Sequence, residues 1–231
     1  MSFSEKTTVV LVHGAWADGS SWQAVVRPLG ERGFDVIAAP IPLTSLSDDA
    51  AALKRAIART HGPVIVAGHA YAGAVIATAH NERVKALVYV AALAPDEGET
   101  VAQVFYRDES HALAPQLAPD ADGFIWMPDD GFAIAFAQNA SEEQIALARA
   151  VQRPISVNSI QEAAGAPAWR SKPVWYLVAE EDRMINPKTQ RFMADRMKAT
   201  VRAAPVDHTP LLTAPETVVD IILEAAQATL A

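Results

Sequence analysis

Short β-branched apolar runs, separated by stretches of helical character, constrain this chain more than any other feature. Thr7 to Val12, Phe34 to Ala39, the run opening at Val64 and Val84 to Ala92 carry almost no polar interruption. Strands buried on both faces of a parallel sheet read this way, whereas strands with one wet face alternate. The segments between the runs are long enough for right-handed crossover helices. Ser20 or Ser21 can cap the first, which runs to about Arg32 and stops at Gly33. Ser45 or Ser47 opens the second, with Asp48 and Asp49 in its first turn, where the helix dipole favours negative charge. The pattern predicts an α/β fold, a parallel sheet with helices on both faces.

The rhythm breaks after Ala94-Pro95 and resumes at Pro173. The text between, rich in Pro, Asp and aromatic residues, is too long for a connecting loop. Residues 95–172 are therefore read as an inserted cap over the carboxyl edge of the sheet, and 1–94 with 173–231 as the core. Within the cap, Ser141-Glu142-Glu143-Gln144 is a capping-box helix start, and Gly123 to Phe132 reads as a β-hairpin. Pro173 to Ala179 and Thr200 to Val206 complete a six-stranded sheet. Asn186-Pro187 heads the helix between them, and Thr213-Ala214-Pro215-Glu216 is a second capping box, opening a terminal helix.

Composition narrows the function classes. With 231 residues, 51% hydrophobic and 20% charged, the chain can bury a sizeable core and is not disordered. A net charge of -8 opposes broad contact with phosphate backbones or anionic membranes. No cysteine is present, which excludes disulfides, thiolate chemistry and Cys-based zinc sites. Met1 to Lys6 has no apolar signal-peptide region, and no stretch approaches the ~18 apolar residues of a membrane span. The expectation is a cytoplasmic protein with no cofactor and no metal, and with neither nucleic acid nor membrane as partner; a homo-oligomer is left open.

Chemistry concentrates at strand ends, where open α/β sheets bind ligands. Val64 to Gly73 writes a sharp strand-to-helix turn. In its G-x-S-x-G form, a strained backbone holds a serine hydroxyl above the sheet. Here Ala70 takes the serine position and Ala72 that of the last glycine. Asp182 follows the Pro173 strand and His208 the last one, giving the chain order turn, acid, histidine. In that arrangement His208 is the base and Asp182 fixes its tautomer. Asp96, Glu180 and Glu181 are other candidate acids, whereas Asp207 points away from its neighbour. The loop His13-Gly14-Ala15-Trp16 lies beside the turn, so the Ala15 and Tyr71 amides form the expected oxyanion hole. Trp16 and Trp126 are the aromatics expected to face substrate, ahead of Phe105, Phe132, Phe136 and Trp169. His69 is read as structural, and His61, His80 and His111 as surface residues.

His13-Gly14-Ala15-Trp16, Gly68 to Gly73, Glu181-Asp182-Arg183 and Asp207-His208 together resemble the α/β-hydrolase superfamily. Ser141 to Ala148 followed by Arg153-Pro154 looks like the branch of plant methylesterases and hydroxynitrile lyases. Plant-type lyases of that branch carry threonine where Gly14 stands and lysine where Thr209 stands. The resemblance therefore implies a serine-hydrolase-type esterase for small carboxylic esters, acting through a Ser-His-Asp triad and an acyl-enzyme. Alanine is no nucleophile, so this chain should form no acyl-enzyme at position 70. The preferred reading is an engineered, inactive variant of a working hydrolase. The alternatives are a natural pseudoenzyme that binds a small molecule, and a cofactor-independent lyase or oxygenase driven by His208.

Overall fold

The computed structural model describes residues 6–230; Met1 to Glu5, most of the segment read for a signal peptide, lie outside them. The strands are β1 (Thr8–Val12), β2 (Asp35–Ala39), β3 (Val64–His69), β4 (Val84–Val90), β5 (Phe124–Ile125), β6 (Ile155–Ser156), β7 (Val174–Ala179) and β8 (Thr200–Ala204). Six of them form one parallel sheet in the order β2-β1-β3-β4-β7-β8.

Strict alternation along the central strands builds two cores from one sheet. Val9, Leu11, Ile65, Ala67, Val88 and Leu177 face one side, where they pack against Val25 and Leu29 of helix Gln23–Glu31 and Val218 and Ile222 of helix Pro215–Leu230. Val10, Val12, Val64, Val66, Tyr89 and Tyr176 face the other. There they meet Leu53 and Ile57 of helix Leu46–Ala58 and Met193 of helix Pro187–Arg196. Tyr89 and Tyr176 are register partners on β4 and β7, and their rings stack nearly parallel at 5.9 Å.

Several local readings hold. Ser45 accepts the Asp48 amide, Ser141 and Gln144 form a complete capping box, and Asn186 accepts from Lys188 ahead of Pro187. Others need correction. Asp18, not Ser20 or Ser21, caps the first helical segment: its carboxylate takes the Ser20 amide at 2.8 Å, while the Ser21 hydroxyl donates to the Asp18 carbonyl. Gly123 to Phe132 is not a hairpin. Asp120 accepts the Asp122 and Phe124 amides to make a turn, β5 pairs antiparallel with the distant β6, and the chain becomes helical from Asp129. Nor does Thr213 act through a capping box; it ends a short helix, Pro210–Thr213, and its hydroxyl donates to Asp207 at 2.6 Å. Among the described residues, no helix is long and apolar enough to cross a membrane.

The strand order reverses between β1 and β3, so the loops after these strands flank the crevice at the carboxyl edge. Backbone strain falls at the same edge. Of the five non-glycine residues with positive φ among the described residues, four lie just past β1, β2, β3 and β4: Trp16, Leu43, Ala70 and Ala91. Held strain of this kind collects at functional sites, so the backbone alone marks this edge.

Candidate active site

Ala70 joins β3 to helix Ala72–Ile76 with φ of 50°. The turn needs close approach on every side. A Cβ on Gly68 would come within 2.9 Å of the Ala72 carbonyl and the Ile76 side chain, and one on Gly73 would strike the Leu93 carbonyl. The second indispensable glycine is thus at 73, one residue beyond the motif's usual place. Gly14 of the neighbouring loop is equally confined: a Cβ there would meet Ala70 Cβ at 3.0 Å and His69 Nδ1 at 3.2 Å.

Opposite the turn, His208 Nδ1 and Asp182 Oδ2 are 2.8 Å apart and both residues are buried. Asp182 is held by three further donors: the Met184 and Ile185 amides on Oδ1, and Gln190 Nε2 on Oδ2 at 2.7 Å. Gln190 in turn accepts the Ala179 amide, which ties the acid loop to the end of β7. The other candidate acids are engaged elsewhere: Asp96 pairs with Arg170, Glu180 with Arg191, and Glu181 is exposed. Asp207 accepts the Asn139 and Thr209 amides instead of reaching the imidazole.

His69 holds the backbone of His208 in place. Its Nε2 lies 2.7 Å from the His208 carbonyl and must donate to it, so Nδ1 carries the lone pair. Burial pushes the His69 pKa well below the ordinary imidazole value, which keeps the ring neutral. His61, His80 and His111 are exposed.

Beneath the turn, Tyr71 donates to Asp49 Oδ2 at 2.6 Å, and Asp49 Oδ1 takes the Leu43 amide at 2.7 Å. Asp49 is fully buried, and desolvation raises its pKa to about 6 against these stabilising donors. Tyr71 is pushed upward by the same burial and by the neighbouring carboxylate. The pair anchors Tyr71, which lines the cavity beside Ala70.

Ala15, Trp16, Ala70, Tyr71, Phe136 and His208 share a largely apolar cavity of about 70 Å³. Neither the Ala15 nor the Tyr71 amide donates to another described residue. With Nδ1 committed to Asp182, His208 has Nε2 left for the cavity. Phe105 and Phe136 line this space, while Phe132 packs behind Phe136 and Trp169 lies beside Arg196. Trp126 is misplaced by the sequence reading: it is 49% exposed, and Asp120 holds its indole N–H at 3.0 Å, away from the cavity. Among the described residues, no group of three or more His, Asp or Glu side chains is arranged to hold a metal ion.

Residues 9–221 match the alpha/beta hydrolase family. The chain belongs to that family. A relative from Phoma sp., "Probable hydrolase R7", is 26% identical and covers 96% of this chain and 98% of its own length. Polyneuridine aldehyde esterase superposes with a TM-score of 0.84 at 18% identity, covering 96% of this chain and 100% of that one. A pyrethroid hydrolase from Sphingobium faniae gives 0.83 at 23% (96% and 98% covered), and a methylesterase from Arabidopsis 0.79 at 17% (96% and 99%). Within this alpha/beta hydrolase, sequence reasoning missed Gln190 and the bond between Asp49 and Tyr71, and it ranked Phe136, which lines the cavity, behind Trp126, which does not. Gln190 left a trace, one turn into a helix whose start at Asn186-Pro187 is legible.

Proposed function

We propose that this is an ester-hydrolase site in which Ala70 stands in the place of the nucleophile serine, so that the chain holds small carboxylic esters without cleaving them. The backbone of Ala70 carries the reading. A left-handed alanine costs on the order of 1 kcal/mol, and such a turn serves to hold a side chain above the sheet.

With serine at position 70, His208 Nε2 would take the hydroxyl proton as oxygen attacks the ester carbonyl. Asp182, on Nδ1, would keep the tautomer and stabilise the imidazolium. The free amides of Ala15 and Tyr71 would receive the developing oxyanion. The alcohol would leave with the proton from His208, and water would then release the acid from the acyl-enzyme by the same path. Residues 95–172 act as the cap, contributing Phe105, Ile125 and Phe136 to the wall and excluding bulk water. The ester class is supported by the apolar lining and by the esterase and hydrolase names among the structural relatives. Gly14 and Thr209 favour hydrolysis over lyase chemistry: a threonine at 14 would press on Ala70, and Thr209 is buried with its hydroxyl on the Phe136 carbonyl.

Ala70→Ser should create turnover of p-nitrophenyl butyrate, and adding His208→Ala should abolish it. A folded Ala70→Ser protein inert toward a broad panel of esters, lactones and amides would falsify the proposal. Tight binding of one ligand with no gain from serine would mark a natural binding protein instead. Conversion of an activated C–H acid by the native chain would mark a reaction driven by His208 alone.

A further inference from the structure

The apolar space beside His208 is divided in two. Behind the cavity that holds Ala70 lies a second, of about 40 Å³, bordered by Leu147, Ala148, Val151 and Leu212. Trp16 and Phe136 are the side chains that line both. Their rings meet edge to face with centroids 6.1 Å apart, and Phe136 also stands 5.3 Å from the His208 ring.

This partition has a local cause. Phe132–Phe136 is a π-helical turn, in which one extra residue per turn re-aims the side chain that follows. Its carbonyl end is pinned to the base loop: Thr209 donates to the Phe136 carbonyl, and the Asn139 amide donates to Asp207 at 3.0 Å. Phe132 supports the Phe136 ring edge to face at 5.4 Å. On the other side, the Trp16 indole N–H donates to the Ile125 carbonyl at 2.9 Å. Both rings are therefore held in place.

We propose that the Trp16–Phe136 pair limits the length of the acyl chain the site accepts, with Phe136 the specificity-determining residue and the second cavity the space a longer chain would need. The inference rests on the ester-site reading. Each methylene that becomes buried favours binding by about fourfold. A chain that cannot pass the wall forgoes that gain, and butyryl and octanoyl esters differ by enough methylenes to reveal it.

The test measures binding of p-nitrophenyl butyrate and p-nitrophenyl octanoate to the native chain by equilibrium dialysis. Phe136→Ala should raise the ratio of octanoate to butyrate affinity by at least about tenfold. Phe136→Leu, which keeps more of the core, should give a smaller gain of the same kind. Adding Ala148→Phe to Phe136→Ala refills the second cavity from its half-exposed side, and should cancel the octanoate gain while sparing butyrate. Equal gains for both esters, or an octanoate gain that survives Ala148→Phe, would overturn the proposal. If neither ester binds the native chain or Phe136→Leu, while both melt cooperatively, the ester-site reading itself fails and takes the chain-length limit with it.

Discussion

The carboxyl edge of the sheet and the segment that covers it are held by different kinds of force. Along β1, β3, β4 and β7 each residue is fixed by ladder hydrogen bonds and by apolar packing on both faces. The covering segment has two-residue strands and helices of ten residues or fewer, and besides the apolar packing of residues such as Val104, Phe132 and Ile155 it is tied to the core by scattered hydrogen bonds with no ladder between them. Gln138 donates to the Glu181 carbonyl, Arg183 to the Ile134 carbonyl, and Asn139 to Asp207. The groups proposed for the chemistry sit on the first kind of support, and Phe136, proposed to set specificity, sits on the second. A site so divided can change its ligand without disturbing its acid and base.

Substitutions in the two regions should therefore differ steeply in effect. Gly73→Ala places a methyl against the Leu93 carbonyl and 3.0 Å from Ala92 Cβ, where neither the helix nor the β4 end can yield. It should cost about 3 kcal/mol or more in denaturant unfolding, despite alanine's better helix propensity. An unchanged midpoint would mean that the elbow is far softer than the sheet beneath it.

Asp49 offers a subtler probe of the same support. Its raised pKa means that the folded chain keeps a proton which the unfolded chain, with an ordinary carboxyl near 3.8, has released. The stability contribution of Asp49 is therefore greatest below about pH 4, falls as pH rises, and levels off above about 6. Relative to Asp49→Asn, which has no such titration, the native chain should lose up to about 3 kcal/mol across that window. Parallel pH profiles for the two proteins would show that Asp49 is not desolvated as its burial indicates.

The smallest effect is expected in the cover. Trp126→Ala removes an aromatic that is largely exposed and whose polar contact is local to Asp120. Unfolding free energy should change by no more than about 0.5 kcal/mol, and ester binding should be unaltered. A binding defect would move Trp126 back toward the substrate and blur the division between the regions.

The same division decides what was legible in the sequence. Buried parallel strands and side-chain caps such as Ser45, Ser141 and Asn186 obey local rules, so Asp182 and His208 could be placed from the strands that precede them. Phe136 could be named only as one of six candidate aromatics, because a π-helical turn has no sequence period of its own. The hairpin expected at Gly123 to Phe132 failed for a related reason. The pairing partner of β5 lies some thirty residues away at β6, and one carboxylate, Asp120, fixes the turn before it. The Asp49–Tyr71 bond joins residues 22 apart whose types are common in any helix and any turn.

The sheet order also carries a kinetic meaning. β4 pairs with β7, so their register can form only after the whole intervening segment has been closed as a loop. The bond from His69 to the His208 carbonyl spans 139 residues and needs β8 to have arrived as well. Contacts so distant in sequence form slowly, because their closure entropy is lost before any packing is gained. A refolding chain would first assemble the half of the sheet built from β1 to β4, with Ala70 already at its crest, and meet its histidine last.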